Sequence, residues 1–399
     1  MLSRVISVFA ADATPTLAAP AAATLPPLPP KMNVPAPGPV TDASYAPQPI
    51  LPGGVVIPLY PPGSPYLKMD RVKEAEKYNI GGNGMIGSIV NIHNPSIEFH
   101  PGNGTLNTGA VVILVAGGGH RTLNVGGEGA DFVPFLASYG INSVILRNRM
   151  RVDGYDAKTD SVYDAQQAIK IVRAYAKEWH LDPNKIGMMG FSAGAELAMP
   201  AALFWPEFDA KNNVPGNPFA AISSRPDFIG VIYPGPSPFA AGRGGAPTTP
   251  PAIPRDAPPS FIVCAGWGDA GHAVWANEWF TAMLNARVPN VEMHIYARGH
   301  HPGDPAQPDE PGAPSSGGLT SRGFIAYGSW PQRYIEWMRD LGFMGKPGVE
   351  TQAARDVAAN LNRPPPGAGR RGAGGGGRGQ PAASGATPPP TAPAATAPR

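Results

Sequence analysis

Five consecutive residues, Gly190-Phe191-Ser192-Ala193-Gly194, have the types and spacing for nucleophilic chemistry. An apolar run precedes them (KIGMM, 185–189) and a helix-forming run begins within them (SAGAELAMPAAL, 192–203). A serine on so tight a strand-to-helix turn needs very small neighbours, hence the flanking glycines, and the turn lifts its Oγ above the sheet edge. The amide of Ala193 would open the helix and face a developing oxyanion, helped by the helix dipole. The competing reading is a glycine-rich turn with an incidental serine. The strand before and the helix after favour the nucleophile.

Upstream, 110–116 (AVVILVA) runs into Gly117-Gly118-Gly119-His120. Acyl transfer needs backbone N–H donors close to the oxyanion, and glycines let the main chain approach. Gly118 and Gly119 are the candidate donors beside Ala193. Where a serine sits on such an elbow, the acid and the base follow it in the order Asp, His. Residues 261–265 form an apolar run that leads to Gly266-Trp267-Gly268-Asp269. Asp269 therefore stands just past a strand end, able to orient an imidazole. Asp227 precedes its strand and Asp256 lies in a Pro-rich loop, so both are poorer choices. Of eight histidines only His300 and His301 follow the last strand-like run (VEMHIY, 291–296), so the base is one of that pair. His272, three residues after Asp269, reads as a loop residue. No Cys or Glu cluster accompanies the histidines, so no metal site is expected. Cys264 is the only cysteine and reads as a buried strand residue.

The elements that must position these residues alternate. Strands are expected at 110–116, 141–146, 185–189, 228–233, 261–265 and 291–296. Helices are expected at 130–139, 160–179 (capped by Asp160 or Ser161), from 192 onward, at 276–286 and at 330–341. Earlier runs, 55–59 and 89–92, read as antiparallel edge strands. Such alternation predicts a doubly wound, mostly parallel α/β sheet with helices on both faces and chemistry at the carboxyl ends of the strands. Residues 303–322 read as a long polar Pro/Gly loop, mobile or acting as a lid.

Composition divides the 399 residues unevenly. Pro (51) and Gly (50) cluster at both ends. Residues 1–48 and 347–399 are expected to be disordered around a single domain at 49–346. A net charge of +2 gives no electrostatic case for nucleic acid. No run reaches the ~20 apolar residues of a membrane span. Met1 to Ala13 has a basic start, a short apolar run and an Ala-x-Ala end, the outline of a short export signal, so a periplasmic or extracellular location is expected.

The stretches VVIPLYPPGSP (55–65), AGGGH (116–120), GEGADFVPFLASYGINSVILRNR (127–149), YDAQQAIKIVRAYAKEW (163–179), LDPNKIGMMGFSAGAELA (181–198), RPDFIGVIYP (225–234) and YARGHHPG (296–303) resemble the bacterial carbohydrate-esterase-like branch of the α/β-hydrolases. Its members are often called acetylxylan or feruloyl esterase-like (BD-FAE-like). The resemblance covers about residues 50–345. It implies the α/β-hydrolase fold, with Ser192 as nucleophile, Asp269 as acid and His301 as base, no cofactor, and short acyl esters of plant-wall sugars as substrates. The family pattern around the base is a tyrosine, two variable residues, then Gly-Gly-His-Gly. Placed on Tyr296, it puts His301 at the histidine, with His300 and Pro302 replacing glycines. Gly268-Asp269 stands where Asp-Asp is usual, and 303–322 has no counterpart. The rival readings are a serine peptidase of the same fold, for whose usual gating domain residues 1–50 are too few, and a non-catalytic sugar-binding or envelope protein. A lipase is disfavoured because no apolar lid is evident.

Overall fold

A computed structural model describes residues 25–31, 43–82, 84–213, 216–301, 310–311, 319 and 323–364. The export-signal segment, most of loop 303–322 and residues 365–399 lie outside the described residues. Among the described residues, ten strands and seven α-helices follow in chain order: β1 Val55–Pro58, β2 Lys77–Ile80, β3 Ile86–Val90, β4 Ser96–His100, β5 Val111–Val115, α1 Phe132–Ser138, β6 Asn142–Arg147, α2 Asp160–Ala174, β7 Ile186–Phe191, α3 Ala195–Leu203, α4 Trp205–Asn212, β8 Phe228–Ile232, β9 Ser260–Trp267, α5 Ala270–Asn285, β10 Glu292–Arg298, α6 Trp330–Asp340 and α7 Gln352–Leu361.

Eight strands form one sheet in the order β1-β4-β6-β5-β7-β8-β9-β10. Strands β6 to β10, with β5, run parallel; β1 and β4 pair antiparallel at one edge. Every residue of β5, β6, β7 and β8 is buried, which is why these strands read as unbroken apolar runs rather than alternating ones. Chain order reverses around β5, which lies between β6 and β7. That is a topological switch point, where the loops at the carboxyl ends diverge and leave a crevice.

Several expectations need correction. β3 spans 86–90 and pairs with β2 in a separate two-stranded sheet, not at the edge of the main one. β4 was not anticipated. Its Glu98 and His100 look like surface residues, yet the whole strand is buried. Glu98 is ion-paired to Arg147 of β6 at 3.6 Å, and Arg147 also bonds Glu76 at 3.0 Å. α2 ends at Ala174 rather than 179. Its N-cap is Thr159, without a side-chain cap bond. Asp160 instead accepts the Asp156 amide, and Ser161 donates to the Arg149 carbonyl.

Both terminal boundaries also shift. Leu25 and Leu28 pack on the core, and Tyr175 donates its hydroxyl proton to the Pro26 carbonyl at 2.6 Å. The Glu98 carboxylate accepts the amides of Ile50 (2.7 Å) and Leu51 (2.9 Å). A Pro-rich segment has few amides to satisfy and little freedom to lose, so a few contacts suffice to dock it. At the other end, 347–364 is not a loose tail. Thr351 caps α7 by accepting the Ala354 amide, and Ala353 and Val357, four apart, bury one face. Arg255 and Asn360 exchange two hydrogen bonds, at 2.8 and 3.2 Å. Small alanines gave that face too weak an apolar signal to read.

Removing residues 1–42 should therefore lower the melting temperature by a few degrees, the loss of two partly buried leucines and a hydrogen bond, about 2 kcal/mol. Removing 365–399, whose composition is that of a solvated tail, should leave it unchanged. Scanning calorimetry of the two truncations checks both.

Candidate active site

β5 and β7 are neighbours in register, with Val115 opposite Gly190. This pairing sets the glycine turn after β5 beside the elbow after β7. Ser192 takes φ +50°, a left-handed conformation that β7 and the following helical turn impose on it. The two motif glycines are steric requirements. A Cβ on Gly194 would lie 1.9 Å from the Val115 carbonyl oxygen, and one on Gly190 would lie 2.6 Å from Ala195 Cα. Gly118 has φ +127°, and a Cβ there would meet the Thr122 carbonyl oxygen at 2.1 Å.

Ser192, His301 and Asp269 come together from three strand ends. Ser192 Oγ lies 2.9 Å from His301 Nε2, and His301 Nδ1 lies 3.3 Å from Asp269 Oδ2. His300 turns away, its Nδ1 3.2 Å from the His301 carbonyl and its ring edge-on to Phe324. Burial acts to raise the Asp269 carboxyl, but hydrogen bonds from His272 and His301 outweigh it and hold the group below its ordinary range. An ionised carboxylate only accepts, so His301 Nδ1 carries the proton and Nε2 is left to accept from Ser192.

Gly118, Gly119, Ser192, Ala193 and His301 line one cavity of about 400 Å³, with Asn124, Glu196, Pro236, His272 and Trp275 among the other walls. Among the described residues the amides of Gly118 and Gly119 take no backbone partner. The Ala193 amide lies in the first turn after the elbow, where helical amides have no intrahelical acceptor. A larger cavity, about 590 Å³, lies elsewhere, between α7 and residues such as Asp182 and Asp227 that precede β7 and β8.

Sequence reasoning missed three supporting residues. Glu128 is buried, accepts the Gly117 amide at 2.7 Å and accepts the Tyr233 hydroxyl proton at 2.8 Å. Tyr233, at φ +35°, sets its ring edge-on to His301 at 5.3 Å. His272 is not a loop residue but lies in the first turn of α5, hydrogen-bonded through Nδ1 to Asp269 Oδ1. The overlooked signal was Asp-x-x-His at a strand-to-helix junction. Ligand atoms of Asp269, His272 and His301 lie within 4.8 Å of one another. The two imidazoles, however, stack in parallel at 3.8 Å and 6°. An ion between such rings would sit out of both ring planes, away from the lone pairs, so the arrangement suits a shared carboxylate better than a chelate. Cys264 is fully buried in β9, and burial pushes its thiol up to about 12, away from thiolate chemistry.

A solved acetyl ester-xyloside bifunctional hydrolase from Caldicellulosiruptor lactoaceticus superposes with a TM-score of 0.52 at 24% identity, over 63% of this chain and 90% of that one. This chain has the α/β-hydrolase fold. Residues 99–223 match the BD-FAE family model. An acetylxylan esterase of Xylanibacter ruminicola is 35% identical over 91 residues, 23% of this chain. An endo-1,4-beta-xylanase B of Butyrivibrio fibrisolvens is 28% identical over 123 residues, 31% of this chain. The matches span only 18% and 19% of those two relatives' lengths. Among the described residues no helix is long and apolar enough to cross a membrane.

The Glu128 contacts lead to an expected outcome. Glu128→Ala strands the Gly117 amide and the Tyr233 hydroxyl in a buried place, so it should destabilise the α/β-hydrolase domain by about 1–3 kcal/mol. Glu128→Gln keeps one acceptor oxygen and should cost less. Urea unfolding of both variants measures the difference.

Proposed function

We propose that this chain is a serine hydrolase of short-chain carboxylic esters, with Ser192 as nucleophile, His301 as general base and Asp269 as the group that orients it. The observation that carries the reading is the continuous Ser192–His301–Asp269 contact chain at the wall of a cavity also lined by Gly118, Gly119 and Ala193. His301 Nε2 takes the Ser192 proton as Oγ attacks the ester carbonyl carbon. The amides of Ala193, Gly118 and Gly119 hold the resulting oxyanion, each worth about 3 kcal/mol of barrier. Collapse breaks the carbon–oxygen bond to the alcohol, which leaves with the proton from His301. Water, deprotonated by the same nitrogen, then releases the acid and restores Ser192. Acetyl groups on plant-wall sugars are the proposed substrates. The resemblance of residues 99–223 and the name of the Xylanibacter relative support that choice.

Ser192→Ala should lower turnover of p-nitrophenyl acetate by about 10⁴-fold or more while the fold persists. His301→Ala should cost about as much, because members of such a unit do not contribute additively. His300→Ala should cost about tenfold or less. Release of acetate from acetylated xylan, set against cleavage of an aminoacyl-nitroanilide, tests the substrate class. Preferential cleavage of the anilide would replace the esterase reading with a peptidase one.

A further inference from the structure

Asp269 holds the N-cap position of α5, where a carboxylate ordinarily folds back to accept an amide of the first helical turn. Asp269 makes no such bond, so no backbone amide of α5 fixes either oxygen. One oxygen instead takes His301 at 3.3 Å, a long contact for a group that must orient an imidazole. The other takes the Nδ1–H of His272. Residues 269 and 272 stand at N-cap and N3, a spacing that brings two side chains together over the first turn, as in a capping box. The His272 ring also covers one face of His301, while Tyr233 meets that ring edge-on. His272 is itself held edge-on by Trp275 at 5.3 Å.

We propose that His272 is a positioning residue for the hydrolase: its Nδ1–H takes the place of the missing backbone donor, fixing the Asp269 carboxylate plane so that Oδ2 faces His301. The inference rests on the esterase reading above. Donation to Oδ1 is what matters, ahead of the ring stack and ahead of any contact His272 makes with substrate from the cavity wall. A rotated carboxylate would leave His301 mis-aimed at Ser192, and small errors of aim at a reacting centre cost about tenfold to a hundredfold in rate.

Three variants separate these roles. His272→Ala removes donor and ring, His272→Phe keeps a flat ring without the donor, and His272→Asn keeps a donor near the Nδ1 position without the ring. On p-nitrophenyl acetate, Ala and Phe should each lose about 10- to 100-fold in kcat with KM within about twofold, and Asn should recover most of the loss. The low-field proton NMR signal of His301 Nδ1–H gives a readout that does not depend on turnover. It should be sharp in the parent and in Asn, and broadened by exchange in Ala and Phe. Should Ala fail to accumulate as folded protein, Phe against Asn decides alone. Unchanged kcat and an unchanged proton signal in Phe would overturn the proposal. A rise in KM alone would make His272 a substrate contact, and Phe outperforming Asn would make the stack the operative feature; either result rejects it. Ser192→Ala is run alongside. If that variant stays active, the esterase reading fails on its own, whatever His272 does.

Discussion

Ser192 occupies a left-handed backbone conformation that an ordinary residue adopts at a cost of about 1–3 kcal/mol. The rest of the site follows from how that strain is held. β7 fixes the chain on one side and α3 on the other. The Gly194 position lies so close to the Val115 carbonyl that no side chain fits between β5 and the elbow. Because β5 carries the glycine turn, the same contact that closes the elbow also brings Gly118 and Gly119 beside the serine. The Gly235 amide adds a further tie at 3.1 Å to the Ser192 carbonyl, from the loop after β8. His120 and Tyr233 are strained as well, at φ +57° and +35°. Three left-handed residues thus meet where the strand ends converge, over a sheet packed tightly enough to impose them.

A second layer of buried polar groups carries this geometry outward. Glu128 joins the turn after β5 to Tyr233 past the end of β8, and Tyr233 meets His301. At the end of β6, next to β5, Arg147 and Arg149 are fully covered. Arg149 is bonded to Asp164 of α2, and Arg147 to Glu76 with Glu98 of β4 nearby. Buried charges of this kind add little net stability but are expensive to misplace, so they select one arrangement of the antiparallel edge and of the N-terminal segment that Glu98 grips. Asp269 follows the same logic at the site. Taken out of water, it stays ionised because two imidazoles face its two oxygens.

The sequence by itself determined the parallel part of the sheet and the residues offered by its strand ends. Doubly covered strands must be apolar throughout, so AVVILVA, INSVIL and FIGVIY were legible without any partner in view. The elbow was legible because its glycines answer a local steric demand. The order Ser, Asp, His then left few candidates for the other two positions. Tertiary structure alone decided matters in which a residue's partner is distant in the chain. β4 was hidden because Glu98 and His100 look solvent-facing until Arg147 and the amides of Ile50 and Leu51 are brought to Glu98. The docked Leu25–Pro26–Leu28 stretch and α7 were hidden because proline and alanine give weak local signals and are ordered only by the surface they meet. Glu128 and Tyr233 carry no motif of their own, and the Asp-x-x-His spacing of His272 gains meaning only once Asp269 is placed. Each matters through an atom supplied by another loop, and local pattern cannot report which donor meets which acceptor. The adjacent histidines show the division most sharply: only the register of the family pattern from Tyr296 separates His301 from His300 in the sequence, and the packing of β7, β9 and β10 turns only His301 toward both Ser192 and Asp269.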